Sequence, residues 1–128
     1  MKAAAMDDAL IGVKVLAVED ESVVAMWLED ALAELGCIVV GPAARVEEAL
    51  ELVEREVVQA AVLDVNLAGV SVFPVADRLQ ELDIPFVFAT GYGNAGVVDR
   101  HRERIVLQKP YSTHTLKHAL EEAIRRRG

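Results

Sequence analysis

Cysteine occurs once in the 128 residues, as Cys37. A single cysteine excludes an intrachain disulfide and leaves no zinc-ligand spacing to find. Its expected place is that of a small buried hydrophobe at the start of a strand. Long apolar runs are absent too: none approaches the ~20 residues that span a bilayer. Residues 1–8 lack the basic-then-apolar order of a signal peptide. A soluble cytoplasmic protein with no membrane partner is expected. Basic charge is in deficit, with 13 Lys and Arg against 21 Asp and Glu and a formal net charge of -8. That balance argues against nucleic acid as a partner, because phosphates demand a basic face. The basic cluster Arg125, Arg126 and Arg127 sits where it complements the end of a last helix. No repeat, low-complexity segment or internal linker interrupts the chain.

What is present is enough apolar material for one core: 53% of residues are hydrophobic. Residues 1–12 read as a flexible leader, and residues 13–127 as one domain. Within it, apolar runs alternate with helical periodicity. Strands are expected at 14–18, 37–40, 60–63, 85–89 and 105–108. Apolar residues at Val24, Leu28, Ala31, Leu32 and Leu35 keep the 3.6-residue period of a helix over 21–35, with Gly36 as its stop. Val46, Ala49, Leu50 and Val53 mark a second helix, and Val75, Ala76, Leu79 and Leu82 a third, with Pro74 in its first turn. A polar fourth helix is expected over 94–104. Leu116, Ala119, Leu120 and Ala123 mark the last. The strands are apolar throughout, as parallel strands covered on both faces should be. Right-handed crossovers then give a doubly wound α/β domain, with its site at the carboxyl ends of the strands.

Polar residues fall at those ends. The first strand stops at Glu19 and Asp20, the third at Asp64, the fourth at Thr90 and the fifth at Lys109. Three carboxylates, a hydroxyl and an ammonium converge on one edge. A like-charged pair ~4 Å apart repels by about 4 kcal/mol at an effective dielectric near 20. Lys109 offsets part of this, and a hard divalent cation offsets more. Carboxylates, a backbone carbonyl and waters suit Mg2+. Asp20 and Asp64 are the side chains expected on it, and Asn66 supplies the carbonyl. Such a site performs phosphoryl transfer by positioning and charge neutralisation, with Asp64 as the nucleophile.

The segments Val18-Glu19-Asp20-Glu21, Val62-Leu63-Asp64-Val65-Asn66, Phe88-Ala89-Thr90-Gly91 and Gln108-Lys109-Pro110-Tyr111 resemble the four hallmark stretches of bacterial response-regulator receiver domains. The resemblance runs over residues 13–126. It implies a flavodoxin-like (βα)5 sheet of five parallel strands in the order 2-1-3-4-5. It implies a two-component phosphorelay module rather than an enzyme, one that promotes its own phosphorylation and dephosphorylation. Asp64 matches the phosphoacceptor, Thr90 the hydroxyl, Lys109 the lysine, and Glu19 with Asp20 the acidic pair that holds Mg2+ or Mn2+. The implied donor is a sensor histidine kinase or a histidine phosphotransfer protein, docked on the first helix, where Val23, Met26 and Trp27 are candidates. The Lys109-Pro110 bond is expected to be cis.

Two positions depart from the family pattern. Glu19 stands where Asp is commoner, and its extra methylene still allows contact with the metal through water. Val106 stands three residues before the lysine, where a Tyr or Phe ring usually turns inward on activation. The Phe88-Ala89-Thr90-Gly91-Tyr92 run resembles a subgroup of single-domain regulators that lack this ring. With no ring to turn, the signal is expected to pass through Gly91, Tyr92, the loop and the segment beyond, with Tyr92, Pro110 and Tyr111 at the rim. An FMN-binding reading needs a phosphate loop where Glu19, Asp20 and Glu21 stand. A haloacid-dehalogenase-type phosphatase needs its nucleophile after the first strand. Neither fits. His114 and His118 are spaced i, i+4 but lack a third ligand. The cognate kinase and the choice between monomer and homodimer are not written in the sequence.

Overall fold

A computed structural model describes residues 8–91 and 96–127. After a short 3-10 turn at Asp8–Leu10 come β1 (Lys14–Val18), α1 (Ser22–Glu34), β2 (Ile38–Ala43), α2 (Val46–Arg55) and β3 (Ala60–Asp64). A small hairpin follows, of β4 (Asn66–Leu67) and β5 (Val70–Ser71). Then come α3 (Phe73–Glu81), β6 (Phe86–Thr90), β7 (Val106–Gln108) and α4 (Thr113–Arg127). The main sheet has five strands in the order β2-β1-β3-β6-β7, every pair parallel. Counting main-sheet strands alone, this is the expected 2-1-3-4-5 order of the flavodoxin-like fold. β1 and β3, at the centre, are buried almost along their whole length.

Alternation along the strands sorts apolar side chains onto two faces. Leu16, Val18, Ala61, Leu63, Phe86 and Phe88 meet α2 and α3 on one face. Val15, Ala17, Val62, Val87, Ala89 and Leu107 meet α1 and α4 on the other. A buried side chain of this size stabilises by about 1.5–3 kcal/mol. Cys37 lies buried in the second cluster, and that burial pushes its thiol up to about 11.

Helix α1 stops where the sequence says it should. The Gly36 N–H reaches the Ala33 carbonyl and the Cys37 N–H reaches Leu32, both at 3.0 Å, which is the Schellman pair. Gly36 takes φ +87°, and a Cβ there would meet Ile11 Cγ1 at 2.8 Å.

Three expectations need correction, and one element was not foreseen. The leader is not loose throughout: Leu10 is buried in the core, and the Gly12 N–H bonds the Gly36 carbonyl at 2.8 Å. Residues 1–7 lie outside the described residues. Strand β2 does not close at Val40 but runs on to Ala43 through Gly41-Pro42. It is an edge strand, so the N–H that Pro42 lacks is not missed. Gly41, at φ +95°, lets the strand shift register against β1, with only 3.0 Å to spare between a would-be Cβ and the Ala17 carbonyl. The hairpin over 66–71 was not expected. Its turn, Ala68-Gly69, takes positive φ at both residues (53° and 89°), as a two-residue hairpin of the primed type requires.

The fourth helix does not form in the described residues. Asn94 and Ala95 lie outside them, and beyond Gly96 there is only a 3-10 turn at Asp99–His101. Its bonds run His101 to Val98, Arg102 to Asp99 and Arg104 to His101, each three residues back. Adjacent β-branched Val97 and Val98 disfavour a helix start. Side chains of Arg100, His101 and Arg104 tie the segment to neighbouring elements instead of leaving it to self-bond.

Candidate functional site

The ends of β1, β3, β6 and β7 open on one side of the sheet, and the polar residues noted there meet in a crevice of about 530 Å³. Asp20, Asp64, Asn66, Thr90, Gly91 and Lys109 line it. Parallel pairing sets the heights: Asp64 lies opposite Ala89, one residue short of Thr90, and the Lys109 N–H closes on the Thr90 carbonyl at 2.9 Å. Thr90 and Asp64 are both buried, at 4% and 7% exposure. The Lys109-Pro110 bond is cis, as the resemblance implied.

The Lys109 ammonium stands between two carboxylates, 2.9 Å from Glu19 Oε1 and 3.3 Å from Asp64 Oδ2. Glu19 is 3% exposed and also accepts the Glu21 N–H at 3.2 Å. Burial opposes the Lys109 charge, but the Glu19 hydrogen bond and the two carboxylate charges outweigh it and hold the ammonium above the usual lysine range. Asp64 goes the other way. Burial, followed by the charge of Glu19, raises its carboxyl to about 7, against the pull of Lys109 and the Asn66 N–H. One ammonium therefore does not balance the negative charge gathered here.

Glu19, Asp20 and Asp64 each bring a carboxylate oxygen into a group whose members lie within 4.8 Å of one another. Hard oxygen donors in excess of the local positive charge fit a hard divalent cation. Among the described residues no other group of three such ligands exists, so His114 and His118, with ring centroids 4.4 Å apart, remain a pair.

A response regulator receiver domain profile matches residues 15–121. The chain belongs to the response regulator receiver domain family. The transcriptional regulatory protein PdtaR of Mycobacterium tuberculosis is 32% identical over 123 residues, covering 93% of this chain and 60% of that protein. This chain thus spans less than two thirds of that relative. Among solved structures, SdrG of Sphingomonas melonis superposes with a TM-score of 0.79 at 45% identity, over 88% of this chain and 97% of SdrG. The receiver domain of Erythrobacter litoralis PhyR gives 0.80 at 30% identity, over 91% and 93%. Receiver domains are signalling modules of two-component systems, working with histidine kinases or phosphotransfer proteins.

Around the receiver crevice, the remaining expected positions fall into place unevenly. Gly91 lies on the rim and its carbonyl accepts from Gln108 Nε2 at 3.0 Å. Val106 is half-buried, packed against the core and level with Phe88. Tyr92 lies outside the described residues. Tyr111 is half-buried, edge-on to Trp27 with ring centroids 5.3 Å apart. Its burial, and then the charges of Glu19 and Asp64, raise the phenol above its usual range. With Val23, Trp27 and Pro110 it lines an apolar groove of about 470 Å³ that reaches Lys109. Val23 and Met26 are 78% and 63% exposed.

Sequence reasoning missed three contributors. Gln108, just before the lysine, was read as a strand residue and as the first residue of a hallmark stretch, with no role of its own. The Asn66 side chain braces the hairpin by accepting the Gly69 N–H at 2.7 Å; the Asn-Leu-Ala-Gly spacing was the available signal. His101, 1% exposed, contacts Asp77 across a separation of 24 residues, and no local pattern announces that.

Proposed function

We propose that this receiver domain takes a phosphoryl group on Asp64 from a phosphohistidine donor, in a Mg2+-dependent reaction, and signals by changing conformation. The observation that carries the reading is the buried Asp64 carboxylate at the floor of an open crevice, 3.3 Å from the Lys109 ammonium. An Asp64 oxygen attacks phosphorus, the P–N bond to the donor imidazole breaks, and the electron pair leaves with that nitrogen. The acyl phosphate so formed carries its new charge where Lys109 can transfer its hydrogen bonds from Glu19 to a phosphoryl oxygen. The Thr90 hydroxyl, on the same rim, donates to another. Asp20, Asp64 and the Asn66 carbonyl would hold the cation directly, with Glu19 behind water, and the cation would supply charge neutralisation for the transferring group.

The exposed apolar groove of Val23, Trp27 and Tyr111 beside Lys109 supports docking of a helical donor at this edge. The name of PdtaR concerns transcription, and its length beyond the matched region keeps that activity with PdtaR.

Intact mass after incubation with acetyl phosphate and Mg2+ tests the assignment. One phosphoryl mass is expected on the native chain and none on Asp64→Asn; label retained by the variant would overturn it. Mg2+ affinity, followed through Trp27, is expected to fall further in Asp20→Asn than in Glu19→Gln. Equal losses would refute the ranking of ligands.

A further inference from the structure

The segment over 97–104 is strapped to α3 and β6. Asp77, on α3, accepts from Arg100 Nε at 2.8 Å and Nη2 at 2.9 Å, and contacts His101 Nε2 at 2.8 Å. One turn on, Gln80 receives Arg104 Nη2 at 3.4 Å, while the Arg104 guanidinium lies 4.2 Å above the Phe86 ring. The Arg100 pair is exposed and worth little by itself. The imidazole is different: it is 1% exposed, stacked on Phe73 at 5.9 Å and edge-on to Phe88 at 5.8 Å.

Phe86, Phe88 and Thr90 alternate onto one face of β6. Phe88 is in register with Val106, the strand position that lacks a ring. Beside Phe73 and Phe86, the His101 ring from the strap is one of three rings packed on Phe88. Phe88 is two residues from Thr90 along β6, and the His101 ring edge-on to it is held by α3 through Asp77.

The seat is not fully satisfied. With Asp77 taking the Nε2 hydrogen, Nδ1 is buried with no partner among the described residues. The closed strap gains the Asp77 bond and the ring packing and loses hydration of Nδ1. Opening restores water to that nitrogen and gives Asp77, already 40% exposed, over to solvent. Opposing contributions of this kind make a two-state element rather than a fixed weld.

We propose that the His101–Asp77 contact is a latch that holds the strap closed in the unphosphorylated chain and is released when Asp64 is phosphorylated. It rests on Asp64 being the phosphoacceptor. Displacement of Thr90 toward the new phosphoryl group shifts β6 at Phe88, and the His101 ring loses its seat. By linkage, whatever weakens the latch strengthens binding at Asp64 by the same factor.

Hydrogen exchange on the full chain, with Mg2+ and with or without beryllofluoride, reads the strap through the amides of His101, Arg102 and Arg104. Protection of these amides is expected to fall about tenfold on beryllofluoride binding, within the usual range for coupled sites. Asp77→Ala is expected to lose that protection without beryllofluoride and to bind beryllofluoride about tenfold more tightly. His101→Phe keeps a ring in the seat but has no nitrogen for Asp77, so it should act in the same direction as Asp77→Ala: strap protection lost without beryllofluoride, and tighter beryllofluoride binding. A strap that stays protected in both variants would overturn the latch. Unchanged protection at Leu16 in β1 shows that either variant keeps its fold. Should Thr90 and Gly91 respond to beryllofluoride while the strap stays protected, the latch is overturned and the phosphoacceptor stands. If the native chain shows no response anywhere, as expected for Asp64→Asn, the phosphoacceptor reading falls and takes the latch with it.

Discussion

Removing the Asp64 charge should stabilise the metal-free domain, and by an amount that depends on pH. Burial and the charge of Glu19 raise its carboxyl from 3.8 to about 7. A folded value above the unfolded one means the fold favours the neutral acid. That favourable contribution is complete below pH 3.8 and is lost as pH rises through about 7. A rise of roughly three units, at about 1.36 kcal/mol each, makes the ionised group cost the fold about 4 kcal/mol at pH 8. Movement of Lys109 and entry of water take up about half, leaving about 2 kcal/mol. Asp64→Asn replaces the acid with a neutral group of the same shape and escapes the penalty. Urea unfolding with EDTA, read by Trp27 fluorescence, measures it. At a slope of about 1.5 kcal/mol per molar, the variant midpoint should lie about 1 M higher at pH 8 and less than half as far at pH 5. Mg2+ should then raise the native midpoint and leave the variant where it was. An equal shift at both pH values, or a lower midpoint for the variant at pH 8, would refute the electrostatic account of this crevice.

Gly41→Ala should lose about 2 kcal/mol or more, because φ +95° and a 2.8 Å approach to the Ala43 nitrogen admit no Cβ; a thermal midpoint within a degree of the native one would contradict that. Cys37 should resist iodoacetamide in the folded chain at pH 8, where a thiol at about 11 is roughly one part in a thousand thiolate, and should react promptly in urea. Labelling at equal rates in both would show the thiol to be accessible. Ala68→Asn should gain about 0.5 kcal/mol, since Asn tolerates the positive φ that the Ala68-Gly69 turn imposes; chemical denaturation with an unchanged or lower midpoint would count against that turn.

The sheet and the crevice were legible because they rest on local patterns. The first, third, fourth and fifth strand ends were marked by an apolar run stopping at a charged or hydroxylic residue, and parallel topology then had to bring Glu19, Asp20, Asp64, Thr90 and Lys109 together. What escaped depends on partners far along the chain. Whether 96–104 winds as a helix is decided by Asp77, which captures Arg100 and His101 across the fold. Leu10 looked like part of a leader because its burial depends on a core assembled from later elements. Pro42 read as a strand end, since the sequence does not say which strand takes the edge.

That edge position has a consequence for how copies of the domain meet. An open sheet offers unpaired N–H and C=O groups at both margins, and a second chain can add to them. On one margin, β2 carries Pro42, which has no hydrogen to give, inside a run bent by Gly41. On the other, β7 is three residues long. Neither margin offers a long straight ladder for strand addition. The central strands can therefore be almost wholly apolar without inviting fibrous aggregation, and two copies of this domain have to associate through side chains on their helices and loops.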